Sequence, residues 1–121
     1  KFYDKILLDV PCSSIGTIQK NPDIKWKNIN FEKLEQIQIE ILKNMSRYVK
    51  KEGVIVYSTC SLNENENWKI IDRFLTLNQD FCLDSASNYI DPTYVDKNGC
   101  MSIFPPTHHA EGIFAARLVK K

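Results

Sequence analysis

Residues 6–10 read Ile6-Leu7-Leu8-Asp9-Val10 and stop at Pro11. The run is unbroken rather than alternating, which is how a strand buried on both faces of a sheet is written. Downstream, a loop containing Gly16 and the stretch Asn21-Pro22-Asp23-Ile24-Lys25-Trp26 lead to Asn30, which can cap a helix. Its apolar positions Leu34, Ile37, Ile41, Met45 and Tyr48 recur every three or four residues, and Gly53 suits its C-terminal exit. Val54-Ile55-Val56-Tyr57-Ser58-Thr59 is a second β-branched run, after which the box Asn63-x-x-Glu66 opens a helix carrying Trp68, Ile71, Phe74 and Leu75. Phe81-Cys82-Leu83 is a weaker strand, a polar, proline-bearing stretch runs to Glu111, and residues 113–119 form a closing strand. Strands alternating with helices imply an α/β fold, a mostly parallel sheet with helices on both faces. Ligands then belong at the carboxyl ends of the strands.

The chain has 121 residues, 16 Lys and Arg against 15 Asp and Glu, and a hydrophobic fraction of 43%. That describes one globular domain, large enough to hide roughly two-thirds of its unfolded surface. No apolar run approaches the roughly 20 residues that span a bilayer, and Lys1-Phe2-Tyr3-Asp4 lacks the form of a signal peptide. Membrane and secretory classes are excluded on this reading, and so is polybasic binding, since the net charge is +1. RNA or DNA stays open as a substrate.

Four cysteines, Cys12, Cys60, Cys82 and Cys100, include no C-x-x-C pair, so no metal site is expected. A chain with an adequate core and no export signal keeps its thiols reduced, which points to the cytoplasm. Cys82, inside a strand, and Cys100, in a loop, are expected to be packed hydrophobes. Cys12 lies two residues beyond the first strand and Cys60 directly follows the second; if those strands are neighbours, both thiols face one crevice. Position alone leaves packing and chemistry both open. A cysteine hydrolase would need a histidine base, and the only histidines, His108 and His109, sit in a late loop beside Pro105 and Pro106. A redox dithiol normally uses C-x-x-C at a helix start.

Asp9-Val10-Pro11-Cys12-Ser13-Ser14-x-Gly16 resembles the D-A-P-C-S-x-x-G segment of the RNA cytosine-C5 methyltransferases, and Tyr57-Ser58-Thr59-Cys60-Ser61 resembles their Y-S/A-T-C-S segment. Residues 21–26 are similar to the H-P-D-I-K-W stretch of the Sun/Fmu or RsmB branch, which acts on small-subunit ribosomal RNA, with Asn21 in place of His. Segment 105–118 resembles the family's P-x(n)-D-G-F-F-x-A-x-L ending, with Glu111 for Asp and Ile113 for the first Phe. The likeness covers the chain apart from residues 87–102.

The resemblance implies a class I S-adenosyl-L-methionine-dependent methyltransferase sheet, Rossmann-like and mostly parallel with an antiparallel last strand. The strand order implied is first, second, last, third. It assigns Cys60 as the nucleophile that adds to C6 of cytosine, Cys12 as the residue assisting removal of the C5 proton and enzyme release, and Asp9 as the partner of the base's amino edge. Asp9 and Pro11 would lie against the cofactor. DNA cytosine methyltransferases use a Pro-Cys thiol, the counterpart of Cys12; Thr59-Cys60-Ser61 favours the RNA family. Lys25 and Trp26 could meet RNA or serve as rim and core anchors.

The four glycines, Gly16, Gly53, Gly99 and Gly112, form no G-x-G pair, and no acidic residue for a cofactor ribose follows a second strand. The chain therefore resembles the C-terminal half of the catalytic domain, from the fourth of seven strands onward. The first three strands and the glycine-rich cofactor loop would lie in a missing N-terminal half. The expected consequences are a fragment not active alone, and a first strand left as an exposed apolar edge through which the chain self-associates. The rival expectation is a noncatalytic half-domain that binds RNA or a partner and merely packs its thiols.

Overall fold

The computed structural model describes residues 2–10, 31–60, 64–103 and 112–121. Strand β1 spans Tyr3–Asp9, helix α1 Phe31–Ser46, β2 Val49–Thr59, α2 Trp68–Leu77, β3 Phe81–Asp84, β4 Met101–Ile103 and β5 Ile113–Lys120. Short 3-10 turns occupy Glu64–Glu66, Ala86–Asn88 and Pro92–Tyr94.

The sheet runs β1-β2-β5-β3, with β4 also pairing to β5. Strands β1 and β2 are parallel, and β5 is antiparallel to β2, β3 and β4. Every strand except β5 therefore points one way, the order and direction expected from the sequence. Strand β4 was not anticipated; Met101-Ser102-Ile103 alternates, but three residues are too short a run to separate from loop.

Register sorts the side chains. Leu8 pairs with Tyr57 and Tyr57 with Ala116, while Ile55 pairs with Leu118 and Thr59 with Phe114, so these residues share one face. All are buried, and they form a single core with Ile39 and Leu42 of α1 and Ile70, Ile71 and Phe74 of α2. Both helices thus pack on the same face. On the other face Lys5, Leu7 and Asp9 are exposed and Val56, Ser58 and Arg117 are half-buried. Helices were expected on both faces; both described α-helices lie on the first, and on the second the Tyr89 ring lies over Arg117.

Three further expectations shift. The buried stripe of α1 is Gln38, Ile39, Leu42 and Ser46, whereas Leu34, Ile37, Ile41 and Met45 are half-buried and Tyr48 lies beyond the helix, 48% exposed. The apolar arc is wider than one stripe, and the sheet takes its C-terminal-shifted edge. Gly53 is not a helix exit but sits inside β2, where a Cβ would stand 2.8 Å from the Lys50 carbonyl oxygen and 2.9 Å from that of Asp4. There the β1–β2 register jumps between Tyr3 and Lys5, with Glu52 at φ 68°. The box Asn63-x-x-Glu66 does not open α2: Glu66 ends the 3-10 turn fully buried, and α2 begins after Asn67. Asn30 and Asn63 lie outside the described residues.

Candidate active site at the carboxyl ends of two strands

The parallel pair β1–β2 ends at one crevice. Asp9 pairs with Ser58, the Val10 N–H donates to the Ser58 carbonyl at 3.1 Å, and the Ser58 hydroxyl donates to the Leu8 carbonyl at 3.3 Å. These bonds fix the two strand ends side by side. Cys60 stands at the bend immediately beyond β2, half-buried. The adjacency inferred from the sequence for the two strand ends is therefore present.

A buried polar cluster holds that bend in place. The Tyr57 hydroxyl donates to the Glu66 carbonyl at 2.7 Å, and the Thr59 hydroxyl donates to Asn67 Oδ1 at 2.5 Å. The Gln38 amide of α1 donates to Glu66 Oε1 at 3.1 Å. Buried polar groups persist only where they are bonded, so Tyr57, Thr59, Glu66, Asn67 and Gln38 act as positioning residues that tie β2 to the start of α2 on either side of Cys60. Sequence reasoning missed this set. Its signal was present in Tyr57 and Thr59, hydroxyl-bearing residues at period two on the face that Ile55 buries.

Asp9 is exposed, not the buried carboxylate expected from its place in an apolar run, because β1 is the sheet edge and its second face is open. Pro11 and Cys12 lie outside the described residues, as do Lys25, Trp26, His108 and His109. The other two thiols separate. Cys100 is fully buried as expected, and burial, reinforced by the nearby Asp96 charge, pushes its thiol up to about 12. Cys82 departs from expectation: it is exposed, on the strand at the far edge of the sheet.

A second cluster lies on the open face. The Tyr89 hydroxyl donates to Asp84 Oδ2 at 2.6 Å, the Asn88 amide to Asp84 Oδ1 at 3.1 Å, and the Arg117 guanidinium also bonds Oδ2. The Tyr89 hydrogen bond, aided by Asn88 and Arg117, holds the Asp84 carboxyl below its ordinary value. Arg117 stacks 4.6 Å from the Tyr89 ring centroid, pinning the 3-10 turn of residues 86–88 to β3 and β5.

No helix among the described residues is long and apolar enough to cross a membrane. The family model described as 16S rRNA methyltransferase RsmB/F matches residues 1–119. The chain is 38% identical over 123 residues to Ribosomal RNA small subunit methyltransferase B of Photorhabdus laumondii, a match covering 98% of this chain and 27% of that protein. The chain thus spans about a quarter of the length of the curated relatives it matches. Among solved structures it superposes on a methyltransferase homolog protein from Pyrococcus horikoshii with a TM-score of 0.73 and 31% identity, over 99% of this chain and 40% of that one. It also superposes on NSun6 from Pyrococcus horikoshii, solved with SFG, with a TM-score of 0.79 and 27% identity, over 98% of this chain and 30% of that one. The sheet order, the strand-end crevice and these matches agree, and the chain belongs to the 16S rRNA methyltransferase RsmB/F family.

Proposed function

We propose that this chain is the nucleophile-bearing half of the catalytic domain of an RNA methyltransferase that modifies C5 of a cytosine in small-subunit ribosomal RNA. The observation that carries the reading is the placement of Cys60, half-buried at the bend beyond β2 and flanked by the anchored Tyr57 and Thr59, beside the Asp9 end of β1. The substrate comes from the names of the curated relatives, and the residue roles come from the motif likeness around Asp9, Cys12 and Cys60.

In this reading the thiolate of Cys60 adds to C6 of the cytosine, forming the S–C6 bond as the C5=C6 electron pair moves toward C5. Asp9 accepts from the 4-amino group and favours a proton at N3, which stabilises the charge that attack develops. After C5 gains its methyl group, Cys12 assists removal of the C5 proton. The electron pair left behind re-forms C5=C6 as the Cys60 thiolate departs. A base reaches such a crevice only out of its stack, which selects single-stranded or looped RNA.

S-adenosyl-L-methionine would supply the methyl group from its sulfonium. The described residues fit one wall of its site: Asp9 is an exposed acceptor at the carboxyl end of β1, and the outer side of β1 is open. Pro11 is assigned to the same wall by likeness. The opposite wall belongs to the first half of the domain, which we place on the β1 edge; without it the edge is a template for a second copy of the chain. The exposed Phe2, Tyr3 and Leu7 along that edge, 59%, 46% and 72% exposed, also favour the rival reading of a partner-binding half-domain with inert thiols.

Cellular RNA separates the two. Where this chain is encoded, Cys60→Ala is expected to erase one 5-methylcytosine from small-subunit ribosomal RNA, read by bisulfite sequencing. An unchanged methylation map would leave only the binding reading.

A further inference from the structure

A cleft of about 510 Å³ opens beside the end of β2, where the start of α2, the turn at residues 96–98 and strands β4 and β5 converge. Its apolar surfaces are Trp68, half-buried, and Phe114, only 3% exposed. Its polar lining carries Glu64 and Asn67 from the approach to α2, Asp96, Lys97 and Asn98 from the turn, and Ser102 of β4. The volume falls in the range of small-ligand sites, roughly 300–1,000 Å³, and is ample for one nucleotide.

The cleft is built on rigid parts. Phe114 is the ladder partner of Thr59 and meets Tyr57 edge-on, with ring centroids 6.5 Å apart. Asn67 is held by the Thr59 hydroxyl, so one residue pair fixes both the cleft floor and the strand end that carries Cys60. The turn is closed by the Asp96 carboxylate, which accepts from the Asn98 N–H at 2.9 Å and the Cys100 N–H at 3.0 Å, with Gly99 at φ 90°. Lys97 and Asn98 are therefore presented by a fixed loop.

Aromatic surface with amides, two carboxylates and one lysine in the lining matches an unpaired nucleobase. The half-buried Trp68 ring stacks on the base, the Asn98 amide and Glu64 meet the base edge, and Lys97 meets a phosphate. An isolated phosphate fits less well, because Glu64 and Asp96 oppose it, and a purely apolar ligand would desolvate the rim without bonding it. We propose that this cleft receives the nucleotide adjoining the target cytosine, and so sets the sequence context in which Cys60 acts. The proposal rests on the RNA methyltransferase reading.

The chain has two tryptophans, so Trp26→Phe leaves Trp68 as the sole reporter. A single-stranded pentaribonucleotide with a central cytidine is titrated into this variant, beside versions abasic on the 5′ or the 3′ side. Saturable quenching is expected, with one abasic version binding at least roughly fivefold more weakly, the loss of one stacked base. Asn98→Ala should weaken the intact strand and leave that abasic strand unchanged. Absence of quenching, or equal binding of all three strands, overturns the proposal. A central 5-azacytidine in the same strand reports on Cys60 separately. Quenching upholds the cleft whether or not Cys60 attaches; attachment without quenching rejects the cleft alone.

Discussion

At the scale of the residue, three cysteines differ in ways that access and ionisation predict. With its thiol at about 12, Cys100 has at pH 8 a thiolate fraction roughly a thousandfold below that of an unperturbed thiol. It should take up iodoacetamide only after denaturation. Cys82 is exposed and Cys60 half-buried, so access alone ranks Cys82 first. The catalytic reading requires the reverse, and peptide mapping of partial alkylation should give Cys60 before Cys82 before Cys100; Cys82 labelling fastest would favour inert thiols. The place of Cys60 directly after β2 was legible in the sequence, because a β-branched run and the five-residue motif that ends it are local. It misjudged Asp9 and Cys82, because exposure depends on which strand is an edge, and that is a property of the whole sheet.

Asp84 gives a pH prediction. Its carboxyl is held below the ordinary value of 3.8, first by the Tyr89 hydroxyl. A group whose folded value is depressed stabilises the fold above its unfolded value, and the contribution fades as pH falls through the folded one. Native protein should therefore exceed Asp84→Asn in urea midpoint at pH 6, and the gap should narrow as pH falls below 3.8. A gap that persists at low pH would mean the carboxylate's charge is not the source.

At the scale of the element, the placement of Cys60 depends on how β2 meets α2. Tyr57→Phe keeps the ring in the core against Phe114 but leaves the buried Glu66 carbonyl without its 2.7 Å donor, a loss of about 1–3 kcal/mol. Denaturant melts should show that destabilisation, and labelling of Cys60 should change more than labelling of Cys82, since only Cys60 sits on the loosened bend. Equal change at both thiols would argue for a general loss of packing. The helix itself was legible from its three-to-four spacing, but which part of the apolar arc is deepest was not. Leu34, Ile37, Ile41 and Met45 satisfy the same periodicity as Ile39 and Leu42, and only the docking angle on the sheet distinguishes them. The 3-10 turn that displaces the start of α2 is likewise decided by Glu66 being drawn inward to Gln38, a contact 28 residues away in sequence.

At the scale of the whole molecule, the governing feature is the open edge of β1. Lys5, Leu7 and Asp9 stand exposed along one face of that strand. Antiparallel pairing of two copies about Leu7 would set Lys5 of each against Asp9 of the other, so the edge is self-complementary. Sedimentation of the 121-residue chain should show a dimer that Leu7→Lys converts to monomer; a native chain that stays monomeric at high concentration contradicts this. The sheet order, including the reversed last strand, was legible through family likeness, while the one-sided helix layer was not. Alternating strands and helices specify crossovers but not how many helices share a face.

The central claim is that Cys60 attacks C6 of a cytosine, and trapping that bond tests it most directly. In 5-azacytosine the electron pair displaced by attack on C6 passes to N5, and once N5 takes the methyl group it carries no proton whose loss could expel the thiolate, so the adduct persists. After incubation with the full-length protein and S-adenosyl-L-methionine, single-stranded small-subunit ribosomal RNA carrying 5-azacytidine should be recovered bound to the Cys60 peptide by mass spectrometry, with no adduct from Cys60→Ala and a retained adduct from Cys12→Ala. No adduct, or one carried by Cys12 or Cys82, would contradict the assignment.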